Sequence, residues 1–309
     1  YRTGEEKYLV VVNASNQDKI WAWWQAVNNR EVIIDRDAPE KVAPGPVTLR
    51  RLKDPSVGAD QLVDIAFQGP VSLPVLQRLC RDEAERKALD ELGKFHHTPI
   101  HVGDIEVLAS RTGYSGASVG FELFVHPDHA LELWEKLLAE GEKDGVKPCG
   151  LASRDSTRTE AGFPLYGHEL SGKYDMTPRQ AGYGGFVKKH KPFFIGKAPL
   201  MVKNNERKQK AVRFQMKRKG IRMVRPDDPI VSRKGVCIGY VTSCVLIEKT
   251  QLGIALVDEA HTEEGSEFGV FILPKRNADQ GEKARGHMEV GDRVLLHEDG
   301  VVLPRFASF

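Results

Sequence analysis

The chain has 309 residues, of which 40% are hydrophobic and 28% are charged, and its 45 basic and 43 acidic residues give a formal net charge of +2. This length allows one large domain or two modest ones, and the balanced charge argues against wholesale binding to nucleic acid or to a membrane surface. No apolar run reaches the roughly 18 residues of a membrane-spanning helix, and no signal peptide is visible, so a cytoplasmic location is expected.

The first half of the chain alternates apolar runs of strand length with segments of helical spacing. Tyr8 to Asn13 is a continuous apolar run typical of a buried strand, and the tryptophan-rich segment after Asn16 is predicted to be a helix. The other predicted strands and helices follow in turn. The strands lie at 31–35, 63–68 and 121–125, with two strand-like pieces within 101–110 around Gly103-Asp104, and the helices lie at 71–80, 130–138 and 151–160.

From Lys210 onward the pattern changes to short alternating strands separated by glycine and charged turns, which is typical of a small antiparallel barrel or sandwich. We therefore predict two domains, 1–204 and 205–309. The polar segment Asn277 to His287 is interpreted as a flexible loop of the second domain. The basic stretch from Lys203 to Arg222 is either a solvated linker and strand or a patch for an anionic group.

The four cysteines argue against a metal site, and no metal is predicted. Cys80, Cys149, Cys237 and Cys244 form no Cys-x-x-Cys pair, and no histidine cluster has metal-ligand spacing. Scattered cysteines are typical of reduced thiols in a cytoplasmic protein. The spacing of Cys237 and Cys244 leaves open that two thiols meet across a hairpin.

The common short catalytic motifs give almost no information on this chain, but an ordered set of longer motifs is informative. The chain has no GxxxxGK[ST] phosphate loop and no GxSxG elbow. The motifs are Val12-Asn13-Ala14-Ser15-Asn16, Phe67-Gln68-Gly69-Pro70, Arg111-Thr112-Gly113-Tyr114-Ser115-Gly116, Gly120-Phe121-Glu122-Leu123, Gly150-Leu151-Ala152-Ser153-Arg154-Asp155, Pro164-Leu165-Tyr166-Gly167-His168-Glu169-Leu170, Phe194-Ile195-Gly196-Lys197, Tyr240-Val241-Thr242-Ser243 and Gly253-Ile254-Ala255-Leu256-Val257.

In this order the motifs closely resemble the folate-dependent aminomethyltransferase family, the T-protein of the glycine cleavage system and its relatives, over about residues 1–260. The resemblance implies an α+β fold, with a folate-binding region of two subdomains around a central channel and then a C-terminal antiparallel β-barrel domain. It implies tetrahydrofolate as the cofactor and a lipoylated carrier protein as the partner. The aminomethyl group on the lipoyl arm would pass to tetrahydrofolate, giving 5,10-methylenetetrahydrofolate and ammonia.

The resemblance also assigns folate-binding roles to six residues. Glu122 matches the family's folate-binding Glu, and a carboxylate can accept two hydrogen bonds from the adjacent N–H groups of a pterin. Arg154 matches a second folate-binding position, where a guanidinium suits the glutamyl-tail carboxylates or the pterin edge. The remaining four are Asn13, the backbone of Val11, Tyr1 and Tyr114.

Each of these residues also has a structural interpretation. Glu122 can be an outward-facing strand residue, and Arg154 can form an ion pair with Asp155 or Glu160. Asn13 and Val11 can simply end a buried strand, and Tyr114 can pack in the core. Tyr166 and His168, in another matching motif, are interpreted as packing residues and not as catalysts.

Two departures from the family pattern affect the function predicted for the chain. The family's catalytic Asp lies just upstream of the strand that matches Tyr8 to Asn13, so it is expected before Tyr1, together with the N-terminal part of the folate domain, and no catalytic residue is assigned. The acidic pair before the Gly-Phe-Glu run is replaced by Ala117-Ser118-Val119. These departures leave two alternatives, a tetrahydrofolate-dependent demethylase of a small methylated donor and a non-catalytic folate-binding protein.

Overall fold

The computed structural model describes residues 1–273, 288–295 and 297–307, and the chain forms two compact units. The first unit comprises Tyr1–Val12 and Gly45–Arg154, and the second comprises Asn13–Pro44 and Asp155–Ala307. The predicted domains 1–204 and 205–309 stay a prediction, and the predicted loop Asn277 to His287 falls outside the described residues.

The described residues form six α-helices and ten β-strands. The helices are α1 Gln17–Asn28, α2 Ser72–Leu79, α3 Glu83–Asp90, α4 Pro127–Gly141, α5 Leu151–Ala161 and α6 Lys197–Glu206. The strands are β1 Val63–Gln68, β2 His97–Val102, β3 Ile105–Ser110, β4 Gly120–Val125, β5 Gln209–Met216, β6 Pro229–Val231, β7 Cys237–Ile247, β8 Thr250–Asp258, β9 Glu267–Val270 and β10 Glu298–Leu303.

The first unit is built on an antiparallel sheet with the strand order β1-β4-β3-β2. Because side chains alternate between the faces of a sheet, every second residue of these strands joins one apolar face. Ile65, Val107 and Leu123 lie on this face, in one core with Leu76 of α2 and Leu133 of α4. The apolar face therefore holds the first unit together.

The opposite face of the same sheet carries polar side chains. Ser110 and Ala66 pair with Glu122 from either side, and His97 pairs with Ser110, so these residues form a row across the sheet. Asp64 lies two residues before Ala66 and therefore shares this face. The apolar face supplies the core, and the polar face carries Glu122 and Asp64.

The second unit contains a closed antiparallel barrel with the strand order β10-β5-β8-β7-β6-β9. Its core includes Phe214, Val241, Ala255, Phe268 and Val270. The barrel and the helices and strands that precede it confirm the predicted α+β class and the predicted C-terminal antiparallel barrel.

Two predicted strands are wrong. Tyr8 to Asn13 is not a strand, since Tyr8 forms only an isolated bridge with Arg2 and is 67% exposed. Residues 31–35 form no strand. An apolar run becomes a strand only where another edge satisfies its backbone hydrogen bonds, and sequence pattern does not reveal that edge.

No helix in the described part of the chain has the length and apolar character needed to cross a membrane. No group of three or more His, Cys, Asp and Glu side chains among these residues is placed to hold a metal ion. The four cysteines, including Cys237 and Cys244, are free thiols.

Candidate functional site

Glu122 is held on the polar face of the first unit's sheet by two hydroxyl groups. Its Oε2 accepts a hydrogen bond of 2.6 Å from the Tyr1 hydroxyl and another from the Thr112 hydroxyl, and these two hydroxyls lie 2.8 Å apart. The other carboxylate oxygen, Oε1, accepts no hydrogen bond from any described residue. The side chain is half-buried, so Oε1 can accept a hydrogen bond from a bound molecule.

The Tyr1 side chain is fixed by ring packing as well as by hydrogen bonding. Its ring meets the edges of Phe124 and His97 at centroid distances of 5.5 and 6.0 Å, an arrangement that aromatic pairs favour. Burial, and then the hydrogen bond to Glu122, raise the pKa of Tyr1 above its ordinary value. Tyr1 therefore stays a hydroxyl donor to the Glu122 carboxylate at neutral pH.

Asp64 is a second acidic residue on the same face, and the sequence analysis did not single it out. Although part of its surface is exposed, the surrounding protein atoms desolvate its carboxyl group and raise its pKa to about 6. The Glu122 charge adds to this increase, whereas Arg154 and Lys53 oppose it. The signal in the sequence is one acidic residue inside the otherwise apolar first part of Val63–Gln68.

The loop between β3 and β4 carries Thr112 and is held by Gln68 at the end of β1. The Gln68 side-chain amide donates to the carbonyls of Thr112 and Phe121 at 3.1 and 3.0 Å, and it accepts a 2.9 Å hydrogen bond from Ser115. A Cβ atom on Gly113 or Gly120 would lie within 1.9 or 2.4 Å of the Gln68 Oε1 atom. Both motif glycines are therefore needed for Gln68 to bind this loop.

The other predicted site residues lie at different places. Arg154, on α5, has an exposed side chain and acts electrostatically on Asp64, and Tyr114 is half-buried in the β3–β4 loop. Val11 is 47% exposed. Asn13 belongs to the second unit, where its side chain accepts hydrogen bonds from the backbone and the hydroxyl of Ser15 and caps a short 3-10 helix.

The structure thus brings together some of the six predicted folate-binding residues and not others. Tyr1 contacts Glu122 directly, and Arg154 is linked electrostatically to the same face through Asp64. The Asn13 side chain is engaged in its own turn. The folate-binding roles of all six residues stay predictions.

Two of the matching motifs meet Arg158 in a buried polar network of the second unit. Arg158 and Glu169 are both almost fully buried and form an ion pair of 3.0 Å. Arg158 also donates to Ser243 at 2.9 Å, and Ser243 and Thr242 donate to the other Glu169 oxygen at 2.6 and 2.9 Å. The network ties α5 and the segment after it to β7, so these motif residues have a structural role.

Residues 1–191 match the family model described as the GCVT N-terminal domain. The chain belongs to the aminomethyltransferase, or T-protein, family. It is 36% identical to the aminomethyltransferase of Caldanaerobacter subterraneus subsp. tengcongensis, over 89% of this chain and 66% of the relative. It is 34% identical to the aminomethyltransferase of Alkaliphilus metalliredigens, over 89% of this chain and 68% of that relative.

A solved structure has a similar fold. The glycine cleavage system aminomethyltransferase T from Bartonella henselae matches this T-protein family member with a TM-score of 0.60 and 23% sequence identity, over 80% of this chain and 60% of the other. The chain thus spans about two thirds of the length of the curated relatives it matches. The comparisons confirm the predicted family and fold.

Proposed function

We propose that this chain takes part in tetrahydrofolate-dependent one-carbon transfer, as the aminomethyltransferase of glycine cleavage. In this reaction the aminomethyl group of a lipoylated carrier protein passes to tetrahydrofolate, giving methylenetetrahydrofolate, ammonia and the reduced lipoyl arm. Tetrahydrofolate supplies the two nitrogens that accept the one-carbon unit, N5 of the pterin ring and N10 of the p-aminobenzoyl group. The curated relatives described above are named aminomethyltransferases, which favours this reaction over demethylation of a small methylated donor and over folate binding without catalysis.

The observation that carries the proposal is the fixed carboxylate of Glu122. Tyr1 and Thr112 hold one of its oxygens, and the other accepts no hydrogen bond from the described residues. A pterin ring presents adjacent N–H donors, and charge-assisted hydrogen bonds to a carboxylate are among the strong ones in proteins. The chemistry of the site therefore fits the ligand.

The remaining predicted residues have supporting roles in this proposal. The exposed guanidinium of Arg154 suits a ligand that carries carboxylates, such as the glutamyl tail of a folate. Tyr1 orients the Glu122 carboxylate, and Tyr114 lies in the loop that also carries Thr112. The folate-binding roles of Asn13 and of the Val11 backbone stay predictions from the family resemblance.

Calorimetry of tetrahydrofolate binding tests the folate site. We expect the Glu122→Gln variant to bind about 10- to 100-fold more weakly than the parent chain, because hydrogen bonds to a charged group contribute roughly 1.5–3 kcal/mol. Glu106→Gln is the matched control, since Glu106 is exposed on the same sheet face and pairs with His101. Equal affinities for all three proteins would contradict the proposal.

The one-carbon donor is tested separately. Formation of methylenetetrahydrofolate is measured with an aminomethyl-loaded lipoyl carrier and, in parallel, with free methylated amines. We expect product with the loaded carrier and none with the free amines. Folate-dependent product from a free methylated amine, without carrier, would assign the chain to the demethylase alternative.

A further inference from the structure

Asp64 and Glu122 are diagonal neighbours on the polar face of the first unit's sheet. Glu122 pairs with Ala66. Asp64, two residues before Ala66, pairs with Phe124, two residues after Glu122. In an antiparallel sheet such diagonal neighbours lie about 7–8 Å apart, within reach of one ligand. A bicyclic ring placed over Ala66 would contact both carboxyl groups.

The charged groups around Asp64 come from three parts of the first unit. Glu122 faces it from β4, Arg154 from α5, and Lys53 from the segment that leads into β1. Desolvation is the largest influence and favours the neutral carboxyl group, and the negative charge of Glu122 acts in the same direction. The two basic residues act against protonation.

The two acidic side chains differ in how their charged forms are stabilised. The Glu122 carboxylate accepts hydrogen bonds from two hydroxyls, whereas desolvation favours the neutral form of Asp64. A ligand that covers this face removes more water from both groups, and two neighbouring carboxylates then cannot both ionise without a large cost. The proton therefore goes to Asp64.

We propose that Asp64 is a further folate-binding residue, protonated when the ligand is bound and donating a hydrogen bond to it, while Glu122 remains the hydrogen-bond acceptor. The proposal rests on the proposed folate site. A pterin ring carries N–H donors next to a carbonyl and ring-nitrogen acceptors, so one acceptor and one donor on the protein match it. Because Asp64 is partly ionised in the free protein at neutral pH, binding takes up a proton.

Calorimetry in two buffers that differ in ionisation enthalpy measures this proton uptake. For the parent chain with tetrahydrofolate near pH 7, we expect an uptake approaching one proton and an affinity that falls by up to about tenfold per pH unit above pH 7. Asp64→Asn, whose amide can still donate, should keep the affinity within a few-fold and lose the proton uptake. Asp64→Ala should bind at least tenfold more weakly, because it lacks the donor.

The possible outcomes separate this inference from the proposed function. Binding without proton uptake, uptake that persists in Asp64→Asn, or strong loss of affinity in Asp64→Asn would overturn the role of Asp64 and leave the folate site intact. No binding of tetrahydrofolate by the parent chain would overturn both. Asp104→Asn, in the exposed turn between β2 and β3, is the control and should match the parent chain in both affinity and proton uptake.

Discussion

Thr112 is the residue whose hydroxyl both contacts the Glu122 carboxylate and lies within hydrogen-bond distance of Tyr1. Thr112→Val keeps the shape of the side chain and removes this hydroxyl. We expect tetrahydrofolate affinity to fall by about tenfold, since the carboxylate loses one of the groups that orient it. Calorimetry against Thr98→Val, whose hydroxyl interacts with the Pro99 carbonyl instead, checks this; similar affinities in the two variants would contradict it.

Asp64 also links the stability of the free chain to pH. Its pKa in the folded state, about 6, lies above the ordinary value of 3.8, so folding favours the protonated form. This contribution is fully present below the ordinary pKa and is lost as the pH rises through about 6. Asp64→Asn should therefore raise the thermal unfolding midpoint relative to the parent chain at pH 8, and the gain should shrink toward pH 4.

The comparison of melting midpoints needs only the folded protein and no ligand. Asp104→Asn is again the control, because Asp104 lies in the exposed turn between β2 and β3. An increase in the unfolding midpoint of Asp64→Asn that is equal at pH 8 and at pH 4 would show that Asp64 acts through packing and not through its charge.

At the scale of elements, the β3–β4 loop depends on one side chain from β1. Gly120→Ala places a methyl group where the Gln68 amide now lies, so the hydrogen bonds to the Thr112 and Phe121 carbonyls are displaced. We expect tetrahydrofolate affinity to fall several-fold, since Thr112 loses its fixed position. Calorimetry of this variant beside Gln68→Ala should give similar losses, and unchanged affinity in both would contradict this account of the loop.

The buried pair Arg158–Glu169 has a similar connecting role in the second unit. Glu169→Gln leaves Arg158 buried without its full countercharge, and we expect a loss of about 3–5 kcal/mol in the free energy of unfolding. Lys203→Gln, at an exposed pair with Asp175, should change it by less than about 1 kcal/mol. Urea unfolding measures both; equal effects would mean that the buried network contributes no more than a surface pair.

Sequence pattern predicted some elements well and others poorly, for reasons seen in particular residues. The strands β5, β7 and β8 were predictable because their apolar and polar residues and their flanking turns all favour strands. The run from Tyr8 to Asn13 has the same apolar character but lacks a partner ladder in the described chain. The family resemblance identified Glu122 but not Asp64, which strand register places beside Glu122.

Across the whole molecule, each unit has its own hydrophobic core. The first unit's core lies on the apolar face of its sheet, and the second unit's main core lies inside the barrel. Among the described residues, none belongs to both cores. Leu76→Ala should lower the free energy of unfolding of the first unit by about 2–5 kcal/mol. Hydrogen exchange should then quicken in β1–β4 and stay unchanged in β5, β7 and β8; equal acceleration throughout would contradict separate cores.

The two faces of the first unit's sheet respond differently to substitution. Leu123 and Val107 pack in the core, so substitutions there lower the stability of the fold, whereas Ala66 and Asp64 lie on the polar face. Ala66 is exposed and stands directly opposite Glu122, so under the proposed function its size would set how closely a ring can approach. A library of variants at these polar-face positions, with the core-facing positions held constant, would test new ligands with little loss of stability.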